Sequence, residues 1–127
     1  MSGPSDHPYG FAEIEATADT RLFRRCKKSH IKEGEIGFWL FANGLDGMMS
    51  VDAERCRPEA DEVAVVAATH WGLVSFPESL AADLDQVLLY WPEDDNHAHT
   101  QVVGSKTQST QKRLADGATF VLAPEID

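Results

Sequence analysis

Apolar and polar positions divide the chain into short segments of changing period. From Arg21 to Arg25 the run Arg-Leu-Phe-Arg-Arg alternates enough to predict a strand with its basic side chains outward. Glu35 to Ala42, where Ile36, Phe38, Trp39, Leu40 and Phe41 crowd together, predicts a buried strand. Asn43-Gly44 and Asp46-Gly47 then mark a turn, and Met48 to Asp52 predicts a strand paired back onto the first as a hairpin. Pro58 followed by Glu59, Asp61 and Glu62 has the proline and acidic first turn of a helix, with Val63, Val66 and Ala67 as its apolar face. A strand over Glu62 to Ala67 is the competing reading. The helix is expected to end near His70-Trp71-Gly72, with Gly72 in a left-handed cap and His70 favouring the dipole.

Leu73 to Phe76 reads as a strand, and Ser75-x-x-Glu78 as a capping box opening a brief helix through Leu80, Ala81 and Leu84. Gln86 to Trp91 is the most strand-like run in the chain and is expected centrally in the sheet, with an acidic turn from Pro92 to Asn96 after it. His99 to Val103 predicts a further strand, Ser105 to Ala115 a helix closed by Asp116-Gly117, and Ala118 to Leu122 a last strand. Hairpin and crossover signals are mixed and no internal repeat occurs. The expected fold is therefore α+β, a single domain with one mixed, mostly antiparallel sheet and two or three short helices. Residues 1–18, with Gly3, Pro4, Pro8 and Gly10, read as a flexible lead-in and residues 19–127 as the domain. Phe38, Leu40, Val87, Leu89 and Val102 are its expected core.

At 127 residues and 43% hydrophobic content, the chain can close one core without disulfides or metal. No apolar run approaches the roughly 20 residues of a membrane span, and the first residues carry no charged-then-apolar signal. These features predict a cytoplasmic protein without membrane contact, in which Cys26 and Cys56 are free thiols and no metal or other cofactor is bound. Twenty-one acidic residues against eleven lysines and arginines give a net charge of −10 with histidines neutral, which opposes nucleic-acid binding. One window runs against that average. Arg21, Arg24, Arg25, Lys27 and Lys28 form a basic patch that Lys32 extends and that includes His30.

The stretch from Asn96 to Leu114 runs from a histidine-bearing strand through a glycine turn into a polar helix. At Gly104-Ser105-Lys106-Thr107-Gln108, free helix-start N–H groups, the Lys106 ammonium and two hydroxyls can converge on an anion. Ser105, Lys106, Thr107 and Ser109 are the expected anion-binding residues, with His99 beside them. The upstream glycine of a P-loop is missing, so no Walker site is predicted. The alternative without ligand has Ser105 capping the helix and Gln108 closing a capping box. His97 and His99, two apart in a strand, are expected to point the same way, but with His30, Cys26 and Cys56 they match no zinc spacing. His30, Ser50 and His99 are the catalytic candidates, with Asp52 or Asp95 as a carboxylate neighbour. No G-x-S-x-G is present.

Leu22-Phe23-Arg24-Arg25, Ser29-His30-Ile31, Met49-Ser50-Val51-Asp52 and Asn96-His97-Ala98-His99-Thr100 running on through Gly104-x-Lys106-Thr107-x-Ser109 resemble a family of small bacterial proteins. Its pattern is L-[YF]-R…H-[VI]…L-S-V-D…N-P-A-H-A-x-V-x-G-x-K-T-x-S, and the resemblance spans roughly residues 20 to 115. It implies a set of polar positions (His30, Ser50, His99, Lys106, Thr107 and Ser109) and no reaction. His97 stands where that family has proline. The opening Leu-Phe-Arg-Arg with a later His and Ser also resembles the first strands of ADP-ribosyltransferase-like domains.

Small size, the acidic balance and a polar helical face lead to the expectation of a non-enzymatic module that binds a protein partner, such as the immunity or antitoxin-like member of a bacterial gene pair or defence system. The alternative is a small enzyme or binder acting on a phosphate-bearing or nucleotide-like ligand through His30, His99 and Lys106. The residues alone do not decide whether the chain is an enzyme.

Overall fold

The computed structural model describes residues 12–45 and 47–127. The strands are β1 (Ala12–Ile14), β2 (Arg21–Cys26), β3 (Ile31–Lys32), β4 (Glu35–Ile36), β5 (Met48–Ala53), β6 (Gly72–Pro77), β7 (Val87–Tyr90), β8 (His99–Val103) and β9 (Thr119–Leu122). The helices are α1 (Glu59–Ala67), α2 (Glu78–Asp83) and α3 (Gln108–Gly117), with 3-10 turns at Lys28–His30 and Phe38–Phe41. Seven strands form one sheet in the order β1-β7-β8-β5-β2-β6-β9, while β3 and β4 pair as a separate ribbon. The pairings among the described strands are antiparallel. The molecule is thus the α+β domain expected, with one main sheet and three helices.

Two-residue periodicity assigns the faces. Leu22 and Cys26 of β2, Met49, Val51 and Ala53 of β5, Val74 and Phe76 of β6, Leu88 of β7 and Val102 of β8 all point to one side. There they pack with Leu40, Phe41, Ala81, Leu84 and Leu114 from the 3-10 turn, α2 and α3, forming the main core. On the other side Phe23 and Leu73 meet Val66 of α1, with Val63, Trp71, Val121 and Leu122 around them. Helix α1 covers only the β2–β6–β9 part of that face. The remainder leaves room for a site.

Several elements depart from the sequence expectation. Phe38 to Phe41 form a 3-10 turn and not a strand, which brings the adjacent Leu40 and Phe41 inward together. A strand would place them on opposite sides. Trp39 turns outward and its Nε1 donates to the Ser29 carbonyl at 2.9 Å. Gly37 permits this, since a Cβ there would lie 2.4 Å from the Trp39 ring. The hairpin does not form: β4 pairs with β3, and β5 with β2 and β8. Strand β7 lies one place from the edge, beside β1, and β5 is the central strand. Accordingly Leu40, Leu89 and Val102 are buried, whereas Val87 is 38% exposed and Phe38 half-buried. Strand β1 falls within the expected lead-in, of which residues 1–11 lie outside the described residues, as does Asp46 of the expected turn.

The helix ends differ too. Helix α1 stops at Ala67, and it is His70, with φ +68°, that takes the left-handed conformation. Gly72 is instead the first residue of β6, where a Cβ would lie 2.6 Å from the Pro124 nitrogen. Ser75 sits within β6 and accepts from Arg21 Nε at 2.8 Å, so it caps nothing. Glu78 opens α2 fully buried, accepting from the Thr17 amide at 3.1 Å and from Arg55. Beyond β9 the chain is tied back twice, with Glu125 N donating to the His70 carbonyl and Lys28 N to the Ile126 carbonyl, both at 2.9 Å. No helix among the described residues is long and apolar enough to cross a membrane.

Neighbouring positions in β7 test the face assignment. Leu88→Ala is expected to cost about 2–5 kcal/mol, and Val87→Ala less than about 1 kcal/mol, in urea unfolding. Equal costs at the two positions would refute the assignment.

Candidate functional site

Strands β2 and β5 are neighbours but share only two register pairs, Leu22 with Ala53 and Phe23 with Asp52. Past Phe23, β2 continues along β6 through Cys26, while β5 stays on β8 from Asp52 back to Met48. Backbone groups exposed by such a parting need other partners. Arg24 supplies one, its Nη1 donating to the Ser50 carbonyl of β5 at 2.7 Å, while its Nε donates to the Leu40 carbonyl of the 3-10 turn at 3.2 Å. The parting opens a cleft of about 630 Å³ whose lining includes Arg25, His30, Ser50, Asp52, Asn96 and His99.

Cross-strand register places His99 of β8 beside Asp52 of β5, and Ser50 lies two residues before Asp52 on the same face. The His99 ring is held on both sides. Nδ1 lies 2.8 Å from the Trp91 carbonyl and Nε2 3.2 Å from Ser50 Oγ. A carbonyl only accepts, so Nδ1 carries the proton and Nε2 of the neutral ring is free to accept one from the Ser50 hydroxyl. Glu93 Oε1 stands 3.7 Å from Nδ1. Gln101 Oε1 lies 3.4 Å from Ser50 Oγ. Serine, histidine and an orienting acceptor therefore stand in the order nucleophilic chemistry requires.

His30 has the opposite tautomer. Its Nδ1 accepts from the Lys27 amide at 2.9 Å, which leaves the proton of the neutral ring on Nε2. Burial first, then the charges of Arg24 and Lys27, hold its pKa below the ordinary value, so the ring is neutral at pH 7. Around it stand Arg25, half-exposed, and Lys27, whose Nζ lies 4.7 Å from the centre of the Trp71 ring. Glu93 and Asp95 also contribute to the lining. The cleft thus presents cations, carboxylates and one aromatic face together.

Beneath the floor runs a buried polar network. Arg57 Nη1 donates to Glu62 Oε1 at 2.8 Å and Nη2 to Asn96 Oδ1 at 3.0 Å. Asn96 Nδ2 donates in turn to Asp52 Oδ1 at 2.8 Å. Burial would raise the Asp52 carboxyl, but hydrogen bonds to Glu62 and Asn96 and the charges of Arg25 and Arg57 outweigh it and hold the pKa low. Sequence reading missed Arg57, Glu62, Asn96 and Trp71 as site residues. Glu62 looks like an ordinary first-turn carboxylate, and only its position five residues after Arg57 hinted at pairing.

The structure brings His30, Ser50 and His99 to one cleft, with Arg24, Arg25 and Lys27 of the basic patch. Arg21 is elsewhere, bonded to Ser75, and Lys28 is exposed outside the lining. Ser105, Lys106, Thr107 and Ser109 do not line the cleft. The Lys106 side chain turns inward, its Nζ donating to the Val102 carbonyl at 2.9 Å and the Gly104 carbonyl at 3.2 Å. Burial, with the Arg24 charge, lowers its pKa to about 8. Thr107, not Ser105, caps α3 by accepting from the Thr110 amide at 3.2 Å. His97 and His99 do not point together, for His97 precedes β8 and places Nε2 3.1 Å from the Cys56 carbonyl. Cys26 and Cys56 are unpaired, burial raising the Cys26 thiol to about 11. Among the described residues no group of three His, Cys, Asp or Glu side chains forms a metal site.

No protein-family model matches the chain, and no significant match to a curated protein or a solved structure is found. The site geometry is accordingly what carries a functional reading. Its first test is the His99 tautomer. Long-range ¹H–¹⁵N correlation spectra at pH 7 are expected to show Nδ1 protonated and Nε2 bare, and Ser50→Ala to shift Nε2 alone. A proton found on Nε2 of the neutral ring would remove the base.

Proposed function

We propose that the protein is a small enzyme that binds a phosphate-bearing, nucleotide-like molecule in the cleft between β2 and β5 and acts on it with Ser50 and His99. The observation that carries this reading is the 3.2 Å contact between His99 Nε2 and Ser50 Oγ at a cleft lined by cations. His99 takes the Ser50 proton as the hydroxyl attacks the terminal phosphorus of the ligand; the bond from that phosphorus to its bridging oxygen breaks, the rest of the ligand leaves with the proton from His99, and water deprotonated by the same ring then releases the phosphate from Ser50. The Trp91 carbonyl keeps the ring in the required tautomer, and Glu93 steadies the imidazolium that forms. Arg25 and Lys27 offer charge-assisted hydrogen bonds to phosphate, and His30 a neutral N–H donor. The face of Trp71 suits a planar base once Lys27 turns from it to the phosphate.

The net charge of −10 opposes long polyanions more than a small ligand, because exposed charges farther than roughly 8 Å are screened at physiological salt. Lys106 has no part in this reading, since two backbone carbonyls engage its ammonium. The expected protein-partner module rests on acidity and the polar α3 surface.

Calorimetric titration with a nucleoside, its monophosphate and its diphosphate tests the proposal. Affinity is expected to rise with each phosphate, and Arg25→Ala or Lys27→Ala to weaken binding roughly tenfold, as the loss of one charge-assisted bond of about 1.5 kcal/mol implies. Ser50→Ala is expected to bind normally and abolish turnover. Phosphate-independent affinity would overturn the reading.

A further inference from the structure

The carboxyl of Glu62 is fully buried, and while Oε1 accepts from Arg57, Oε2 has no hydrogen-bond partner. Arg57 Nη1, 2.8 Å from Glu62 Oε1, also stands 3.8 Å from Oδ2 of Asp52, itself only 5% exposed, so the two carboxyls meet at one guanidinium nitrogen. Two carboxylate oxygens cannot bond each other unless one carries a proton, and a buried anionic oxygen without a donor costs several kilocalories. The same network holds the turn before β8. Asn96 bonds Arg57, Asp52 and the Ala98 amide through its side chain, while its carbonyl accepts from His99 N at 3.2 Å. Glu93 N and the Asn96 carbonyl, and Asn96 N and the Glu93 carbonyl, close that turn at 3.0 Å each.

We propose that Glu62 and Asp52 hold one proton between them under the cleft floor, and that through Arg57 and Asn96 this proton positions the turn that sets His99 against Ser50. Glu62 is the protonated partner and donates from Oε2. Asp52 stays anionic, with Asn96 Nδ2 on Oδ1 and Arg25 and Arg57 each 3.8 Å from Oδ2. The charged groups facing Glu62 are Asp52 from β5 and Arg57 from the segment before α1, with Arg25 of β2 behind Asp52. Strands β6 and β9, which pack on α1, contain no charged residue. Burial first, then the hydrogen bond and the charge of Asp52, raise the Glu62 pKa from 4.5 to about 8. A carboxyl raised in the folded state keeps a proton that the unfolded chain has lost. Stability contributed by that proton falls as pH rises from 4.5 towards about 8 and is gone above it. With the proton lost, two carboxylates face each other and compete for Arg57, so the bond from Arg57 to Asn96 loosens and with it the turn.

Glu62 is thus a positioning residue. The inference rests on the Ser50–His99 reading for its consequence, but its test needs no ligand, so an empty cleft and a misplaced proton give different results. Carboxyl ¹³C NMR of the full chain from pH 3 to 9 is expected to show the Glu62 carboxyl titrating near pH 8. The His99 Nδ1–H signal is expected to move in the same step. Glu62→Gln, which imitates the protonated acid, is expected to lack the step near pH 8 in the His99 signal. The proposal is overturned if no carboxyl titrates above pH 6, if His99 does not follow the step, or if Glu62→Gln steps like the parent. Should that variant not fold, the two titrations of the parent chain decide alone.

Discussion

The site depends on one guanidinium placed where two strands part. An antiparallel sheet that opens in its middle exposes donors and acceptors, and Arg24 closes the gap by donating to the Leu40 and Ser50 carbonyls. Burial weakens its hold on the proton, yet an arginine remains charged in a protein. The fixed charge is then felt by its neighbours. It helps hold His30 neutral and helps lower Lys106, so the residue that keeps the cleft open also sets two protonation states around it.

A protein with twice as many acidic as basic side chains has still concentrated cations at this one opening. The two histidines in the cleft differ in what holds Nδ1. A backbone carbonyl at His99 makes it a donor and frees Nε2 to accept, whereas a backbone amide at His30 makes it an acceptor and leaves Nε2 as the donor. One residue type thus presents a ring N–H donor and a ring acceptor in the same cleft.

Much of the fold was legible because β2 alternates weakly, short runs bounded by turn residues mark β6, β7 and β8, and an acidic first turn marks α1. Phe38 to Phe41 misled because four bulky residues in a row satisfy a strand pattern as well as a tight turn, and only the clearance at Gly37 separates the two. Val87 misled because an apolar run does not show which of its alternate positions faces out. His30, Ser50 and His99 were legible as polar residues beside predicted strands, but their meeting depends on β5 lying between β2 and β8, which is long-range topology. Glu62 was not legible as a buried acid, since only tertiary packing distinguishes it from the solvated carboxylates of a helix start. Lys106, expected at an anion site, turns inward for a geometric reason the sequence does not display: its stem folds back over its own strand end.

Backbone bonds at Glu125 and Ile126 join the His70 turn to the 3-10 turn at Lys28. Trp71 follows one of these turns, and Lys27, Ser29 and His30 belong to or adjoin the other. The segment acts as a tie bar across the outer jaw of the cleft. Its aromatic and basic halves are consequently tethered to each other, while Glu93 and Asp95 reach the cleft from the separate Glu93–Asn96 turn.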